Sequence, residues 1–417
     1  MRKKDLLRLF SDPNLLPLPQ QDLIRRIADR SAALGYPAYL VGGFVRDVLL
    51  KRSVKDFDIV VEGDALKLGK MLVKEYGGKL TSHSVFKTAT WFTAQANNGF
   101  LDLITARSES YDHPGVLPTV QPSKIEDDLR RRDFTINAMA MRIDGDHFGE
   151  LVDPLDGRID LDQGLIRVLH SRSFIDDPTR MLRAVRYEKR YGFQIEPETL
   201  KLVNDKARVV LSHLSGERIR HEFDLILDEE NVQAMLAHIA ELGLLKPIHP
   251  TLAWDEDIQA RFSHFFDNKL PVSRFQKWSI WLMGRSPTEI KSLGKRLDFT
   301  AETLKCALSA SSIFHDLDSF ERMRPSQCVE RLENLPDEAI IAVSKSILFG
   351  KPREKLETYL AKWKHVEAHI TGNDLKARGL PPGPKYKEIL RRLRAAWLDG
   401  EVESEEEEFR LLETLLK

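Results

Sequence analysis

Two aspartates, Asp56 and Asp58, and a glycine pair, Gly42–Gly43, fall within one short stretch, YLVGGFVRDVLLKRSVKDFDIVV, from Tyr39 to Val61. Aspartates two apart on a strand point to the same face. Paired hard oxygens suit Mg²⁺, and two such ions can clamp the attacking and leaving oxygens of an in-line phosphoryl displacement. Glycine has no Cβ, so backbone N–H groups at a helix start after Gly42 and Gly43 can close on a phosphate, helped by the positive end of the helix dipole. A Gly-Gly alone is often a turn, and an Asp-x-Asp alone a solvated strand edge. Their order, strand, Gly-Gly, helix, strand, Asp-x-Asp, points to phosphoryl chemistry. Asp102, in a later β-like run, is either a third carboxylate beside them or an outward-facing strand polar residue, because strand alternation offers both faces.

Two further clusters carry chemistry. In Arg130-Arg131-Arg132-Asp133-Phe134-Thr135-Ile136-Asn137, consecutive arginines spread around a helix, so at least one can reach a triphosphate. Asp133 and Asn137 are four apart and share a helix face. A carboxylate beside an amide can hydrogen-bond a ribose, including its 2′-hydroxyl, although a solvated, salt-bridged helix start uses the same residues. The third cluster is Asp176-Asp177-Pro178-Thr179-Arg180-Met181-Leu182-Arg183-Ala184-Val185-Arg186. Pro178 after acidic residues marks a helix N-terminus. Asp177, Arg180, Arg183 and Arg186 then recur every three residues as a polar stripe, with Met181, Leu182 and Val185 toward the packing side. An acid and an arginine one turn apart complement the edge of cytosine and, after a small rotation, of adenine. Uracil and guanine would turn a carbonyl toward the carboxylate and be rejected. The same spacing serves an i,i+3 ion pair on a solvent face.

The elements that must position these residues are legible in outline. A helix over 20–35 buries Leu23, Ile24, Ile27, Ala28 and Leu34 and stops at Gly35. A strand over Tyr39 to Val41, a helix through Leu50 and a strand carrying Asp56 to Asp58 follow, then a helix from Asp64 to Tyr76. The β-like runs Val85 to Thr93 and Phe100 to Thr105 flank Asn97-Asn98-Gly99, a hairpin signal. Arg107 to Ser123 holds Pro114, Gly115, Pro118 and Pro122, which predicts an irregular segment, either a lid or a connector. A helix is expected from Ile125 to Ala140. Beyond about residue 195 helical periodicity dominates. Glu405 to Glu408 reads as a solvated helix start, and His315-Asp316, without further histidines, as surface chemistry.

Composition narrows the class. A chain of 417 residues with 42% hydrophobic content can build two to four domains. The net charge is −1, so a nucleic-acid partner has to be met by a local basic surface. Cys306 and Cys328 lack metal or disulfide spacing, which fits a reducing compartment. The start, MRKKDLLRLF, lacks the apolar core of a signal peptide, and no run of 18 apolar residues occurs, so a soluble cytoplasmic protein without membrane contact is expected.

With these clusters in this order, the chain from Tyr36 to about Leu227 resembles the class II tRNA nucleotidyltransferases, the CCA-adding enzymes of bacteria and eukaryotes, within the polymerase-β-like superfamily. LVGGFVRD with DFD, RRDFTINAMA, the coupling element DQGLIR (Asp162 to Arg167) and the helix GERIRHEFDLIL (Gly216 to Leu227) carry the likeness. It implies an α+β fold: a nucleotidyltransferase head with a small mixed sheet (1–155), a helical neck holding the base template (156–230), a helical body (231–345) and a helical tail that binds tRNA (346–417). It implies that Asp56 and Asp58 hold two Mg²⁺, with Asp102 as third ligand or proton acceptor. Gly43, Arg46 and Arg132 would bind the triphosphate, Asp133 and Asn137 would select ribose, and Asp177 and Arg180 would read C and A, with Arg183 and Arg186 nearby. Asp176 departs from the family, which usually has Glu there. Tyr111–Pro122 lies where the family has its lid loop. The implied reaction is attack of a tRNA 3′-hydroxyl on the α-phosphate of CTP or ATP, the acceptor arm and TΨC loop being gripped by the helical half. CC-only and A-only enzymes, and poly(A) polymerases, are the family alternatives. The neutral charge disfavours a processive poly(A) enzyme, and the Asp56/Asp58 pair disfavours a non-catalytic RNA-binding protein.

Overall fold

The computed structural model describes residues 3–54, 57–83, 87–96, 98–110, 113, 119–266 and 272–416. It divides into two compact units, Met1–Leu214 and Ser215–Lys417. The first is built on a mixed seven-stranded sheet. Its strands are β1 (Ala38–Val41), β2 (Asp58–Val61), β3 (Lys79–His83), β4 (Thr88–Phe92) and β5 (Phe100–Thr105). A separate ribbon, β6 (Arg107–Ser110) with β7 (Thr119–Pro122), precedes β8 (Ala140–Arg142) and β9 (Leu151–Val152). The order across the sheet is β3-β4-β5-β2-β1-β8-β9, with β2 and β5 parallel and the other neighbours antiparallel.

A parallel pair needs a long connection, and the chain between β2 and β5 contains the Ala65–Tyr76 helix. Asp64 caps that helix by accepting from the Leu66 and Lys67 N–H groups. At Gly69 an added Cβ would meet Leu80 Cδ1 at 2.7 Å and Leu103 Cδ1 at 3.3 Å, so the helix lies directly on one sheet face. On the other face Tyr39, Val60 and Ile104 pack with Ile125 and Leu129 of the Ile125–Arg130 helix. Further along the same face Asp58 is exposed and Asp102 half-buried. One end of the sheet face is therefore core, and the other is open.

Several expectations are met: Gly35 (φ +71) follows the Leu18–Ala33 helix, and the hairpin signal joins β4 to β5. Others are corrected. The helix expected to Ala140 stops at Arg130, after which a 3₁₀ turn over Thr135–Asn137 leads into β8. Arg107–Ser123 is not irregular throughout, since β6 pairs with β7 from Arg107↔Pro122 to Ser110↔Thr119; a proline is tolerated there because the ribbon has only two strands and Pro122 ends one of them. The strand β3 was not anticipated. Asp56 and most of the segment between β6 and β7 lie outside the described residues.

The second unit contains helices and, among the described residues, no strand. The Gly216–Leu227 helix starts so close to its neighbour that a Cβ on Gly216 would meet the Arg296 carbonyl oxygen at 2.1 Å. Phe223, Trp278, Trp281 and Phe299 form its aromatic core, with Phe223 and Trp281 centroids 5.3 Å apart. Cys306 and Cys328 are buried and unbonded. His315, at a helix end, gives its Nδ1 to the Ser311 carbonyl, and Asp316 takes Arg331. Among the described residues no helix is long and apolar enough to cross a membrane.

The acidic start of the Glu405–Leu416 helix is not uniformly solvated. Glu408 is fully buried and accepts from the His369 and Ile370 N–H groups and from Trp397 Nε1. Removing it strands three donors, each costing about 1–3 kcal/mol when buried. Glu408→Ala should therefore destabilise the second unit by about 3 kcal/mol or more, and Glu408→Gln, which keeps a carbonyl acceptor, by less. Urea unfolding followed by tryptophan fluorescence checks both.

Candidate active site

Parallel pairing places Asp58 opposite Asp102 in register. Thr90, the partner of Asp102 on β4, donates its hydroxyl to Asp102 Oδ1 at 2.6 Å. Asp58, Asp102 and Thr90 thus form one row on the open face, because register partners point to the same side. Of the two faces that strand alternation offered, Asp102 takes the one that carries Asp58. Two carboxylates on adjacent strands offer hard anionic oxygens that fit a divalent cation. Among the described residues no group of three or more metal-ligating side chains occurs, and Asp56, two residues before Asp58, lies outside them.

Beside this row the chain turns at Gly42, whose φ of +60° and ψ of −115° favour glycine. A Cβ there would also sit 2.6 Å from Arg132 Nη1 and 3.4 Å from the Asn137 carbonyl oxygen. Gly43 opens the Gly43–Leu49 helix, which carries Arg46. Arg46 is only 5% exposed. It donates through Nη1 to Asn137 Oδ1 at 2.5 Å and through Nε and Nη2 to the two oxygens of Asp47, at 2.9 and 3.1 Å. Its guanidinium also lies 5.3 Å from the Tyr187 ring centroid and 4.6 Å from that of Tyr191. Burial works against its charge, but the bond to Asp47 and the surrounding groups hold its pKa above the ordinary value. Tyr191 gives its hydroxyl to Asp47 at 3.2 Å, and burial pushes that hydroxyl up to about 12. A cleft of about 350 Å³ is lined by Gly43, Arg46, Asp47, Phe57, Asp58 and Arg190, among others. Phosphate-side and acid-side candidates therefore open onto one space.

The three arginines have three fates. Arg130 is exposed. Arg131 binds Asp128 at 2.8 Å and Glu109 at 3.0 Å. Arg132 binds the other Asp128 oxygen at 3.0 Å, turns Nη1 toward Gly42, and keeps a buried Nε with no hydrogen-bond partner. Asp128, fully buried, was missed in the sequence; its spacing of three and four residues from Arg131 and Arg132 was the available signal. Burial raises its pKa, but the two guanidiniums outweigh that and hold it below the usual carboxylate range. Asp133 and Asn137 do meet, with Asn137 Nδ2 donating to Asp133 Oδ1 at 2.9 Å, through the 3₁₀ turn and not along a helix face.

The Thr179–Tyr191 helix begins after Pro178, as expected, and ends at Gly192. Met181, Leu182 and Val185 are buried, and so are Arg180 (5% exposed) and Arg186 (6%), so the stripe is not a solvent face. Arg183 reaches Asp133 Oδ2 at 2.6 Å and Tyr187 Oη at 3.1 Å. Arg180 donates to Ser173 Oγ at 2.7 Å and to the Arg131 carbonyl at 2.8 Å. Asp177 accepts from the Thr179 N–H and hydroxyl, at 3.0 and 2.6 Å. Asp176 is half-buried, 3.5 Å from Arg172. In the DQGLIR element, Arg167 pairs with Asp160, which also accepts from Thr135 Oγ1, whereas Asp162 pairs with Arg158. Asp160, Glu109, Tyr187 and Tyr191 were not singled out in the sequence.

Comparison with known proteins follows the same lines. Residues 38–167 match the family model for the poly A polymerase head domain, and residues 192–255 match the model for a probable RNA and SrmB-binding site of polymerase A. The A-adding tRNA nucleotidyltransferase of Halalkalibacterium halodurans is 35% identical over 92% of this chain and 90% of its own. The A-adding tRNA nucleotidyltransferase of Geobacter sulfurreducens is 31% identical over 99% of this chain, which spans 48% of that longer relative. The structure of a CCA-adding enzyme in apo form superposes with a TM-score of 0.81 at 31% identity, covering 99% of both chains. The Thermotoga maritima CCA-adding enzyme complexed with tRNA superposes at 0.75 with 29% identity, over 99% of this chain and 98% of that one.

Asp133 carries a pH signature. Burial raises its pKa, but the charge of Arg183 and the bonds from Asn137 and Arg183 more than offset this and lower it to about 2. An unfolded aspartate titrates near about 3.9. Its stabilising contribution is therefore complete above that value and is lost as pH falls from about 4 toward 2. Arg183→Ala leaves burial less opposed and raises the folded-state pKa toward the unfolded one, so the acid-dependent loss between about pH 4 and 2 should shrink. Urea unfolding of both proteins as a function of pH reads the shift, and coincident profiles would refute the assignment.

Proposed function

We propose that this chain, a member of the class II tRNA nucleotidyltransferase and poly(A) polymerase family, is a cytoplasmic enzyme that adds C and A residues from CTP and ATP to the 3′ end of tRNA, building the CCA terminus. The observation that carries the reading is the single cleft lined by Gly43, Arg46 and Asp58, with Asp102 in register beside Asp58. Gly42, Gly43, Arg46 and Arg132 hold the triphosphate, the buried Arg132 Nε being a donor that a phosphate oxygen can satisfy. Asp133 and Asn137, already joined, select the ribose. Asp177 and Arg180 read the base, with Arg183 and Arg186 beside them. The 3′-hydroxyl of the acceptor attacks the α-phosphate and pyrophosphate leaves. Mg²⁺, when held by Asp56, Asp58 and Asp102, supplies positive charge that lowers the hydroxyl pKa and offsets charge on the leaving group.

Arg180 already donates to Ser173 and to the Arg131 carbonyl; these bonds use two of its five N–H groups and orient the guanidinium, leaving the others for a base. The helical body and tail (231–345 and 346–417) grip the acceptor arm and TΨC loop through phosphates, which makes binding salt-dependent.

A second reading is A-addition alone, favoured by the two A-adding relatives at 35% and 31% identity. AMP transfer to a tRNA ending in CC is common to both readings. Labelled transcripts ending in the discriminator base, in C or in CC, each given CTP, ATP or both with Mg²⁺, separate them. CCA on the shortest substrate is the expected product; extension of the CC substrate alone establishes A-addition. A long A ladder on any RNA would point to poly(A) synthesis. Asp58→Ala should lower extension by about 100-fold or more while tRNA binding persists; loss of binding with activity would argue for a fold defect.

A further inference from the structure

The open sheet face that carries Asp58 and Asp102 also carries an aromatic pair. Phe92 and Phe100 are register partners on β4 and β5, with ring centroids 6.2 Å apart. They are 43% and 45% exposed, whereas their neighbours Trp91 and Leu101 are buried. Phe100 is two residues from Asp102 and Phe92 two from Thr90, so alternation puts both rings on the face of the carboxylates. On β3, exposed Lys79 pairs with Phe92. Lys79, Phe92 and Phe100 thus form one row, and Thr81, Thr90, Asp102 and Asp58 form the next, about 7 Å away.

The sheet order gives this row a side. From β2, the strands β5, β4 and β3 run one way and β1 the other. Gly42, Gly43 and Arg46 follow β1, and Arg132 closes on Gly42. The proposed triphosphate residues therefore flank the acid row on the β1 side, and the phenylalanines flank it on the β4 side. In an in-line displacement the attacking hydroxyl approaches opposite the leaving pyrophosphate. The acceptor must then arrive from the β5–β4 side.

We propose that Phe92 and Phe100 form a stacking platform for the unpaired base at the 3′ end of the acceptor RNA, with Lys79 taking an adjacent phosphate, so that the terminal 3′-hydroxyl is delivered to the Asp58–Asp102 row. The assignment rests on the nucleotidyltransferase reading and adds an acceptor subsite to it. The row spacing is commensurate with the reach from a base to its own 3′-hydroxyl. Base–aromatic stacking is sequence-tolerant because every base has a π-face. That tolerance suits an acceptor whose last base changes with each nucleotide added, and the lysine supplies the complementary charge.

The test compares wild type, the double variant Phe92→Ala/Phe100→Ala, and Phe100→Trp, with circular dichroism melts as the folding control. On a transcript ending in CC with saturating ATP, the double variant should lose about 5- to 100-fold in kcat/KM for tRNA, the range of a lost base stack. Its KM for ATP should stay unchanged, and Phe100→Trp, which keeps a stacking ring, should lose less kcat/KM for tRNA than the double variant. A second readout needs no turnover: a transcript with 2-aminopurine as its last base should be quenched on binding wild type and Phe100→Trp, but not on binding the double variant. Unchanged kcat/KM and quenching in the double variant would overturn the proposal. So would an equal rise in KM for ATP, or conversion of a dimer to a monomer with RNA kinetics unaltered, which would make the face an interface between copies. A wild type that extends no tRNA would instead sink the underlying reading.

Discussion

Parallel pairing of β2 with β5 is the constraint on which the rest of the first unit depends. It brings two aspartates separated by a long stretch of chain to one register position, Asp58 beside Asp102. A parallel pair cannot be closed by a tight turn, so the intervening chain must leave the sheet and return. It does so through the Ala65–Tyr76 helix, which covers one face and meets Leu80 and Leu103 at Gly69. With that face covered, polar chemistry is confined to the other, and the Ile125–Arg130 helix covers only the part carrying Tyr39, Val60 and Ile104.

Around the open part the charges are held by one another. Asp128, Asp133 and Arg46 are all nearly or fully buried, a placement that is costly unless each charge is paired and hydrogen-bonded. Asp128 takes two guanidiniums, Asp133 takes Arg183 and Asn137, and Arg46 takes Asp47, Asn137 and two tyrosine rings. Asp133–Arg183 and the Arg46–tyrosine contacts tie residues near the sheet to the Thr179–Tyr191 helix, and Arg46–Asn137 ties the Gly43–Leu49 helix to the 3₁₀ turn. The proposed phosphate, ribose and base residues are thus fixed relative to one another before any ligand arrives, which lowers the ordering cost of binding.

What was legible in the chain depended on the range of the interaction. Gly42–Gly43, the hairpin at Gly99 and the helix start at Pro178 are local signals, and each lies where its chemistry indicated. The end of the Ile125 helix at Arg130 was not legible, because Ile136 and Ala138 continue an apolar pattern that the structure spends on a buried 3₁₀ turn. Glu408 looked like one of four solvated acids, and only its contact with Trp397 and the 369–370 backbone, from distant parts of the chain, separates it from them. Ribbon pairing of β6 with β7 is likewise a contact between segments that each looked irregular.

The same network that orders the site also joins its parts. Glu109, on β6, holds Arg131, and the Arg131 carbonyl holds Arg180 on the helix of the proposed base readers. Arg180 is oriented by both present bonds, and releasing the Arg131 carbonyl leaves that oxygen to find another donor or water. The β6–β7 ribbon and Arg180 therefore share one residue, Arg131, as common support. A small energy difference at that support is enough to favour one Arg180 orientation over another, since a change of about 1.4 kcal/mol is tenfold in population. In the proposed function, the Glu109–Arg131–Arg180 chain therefore stands behind the proposed base readers Asp177 and Arg180.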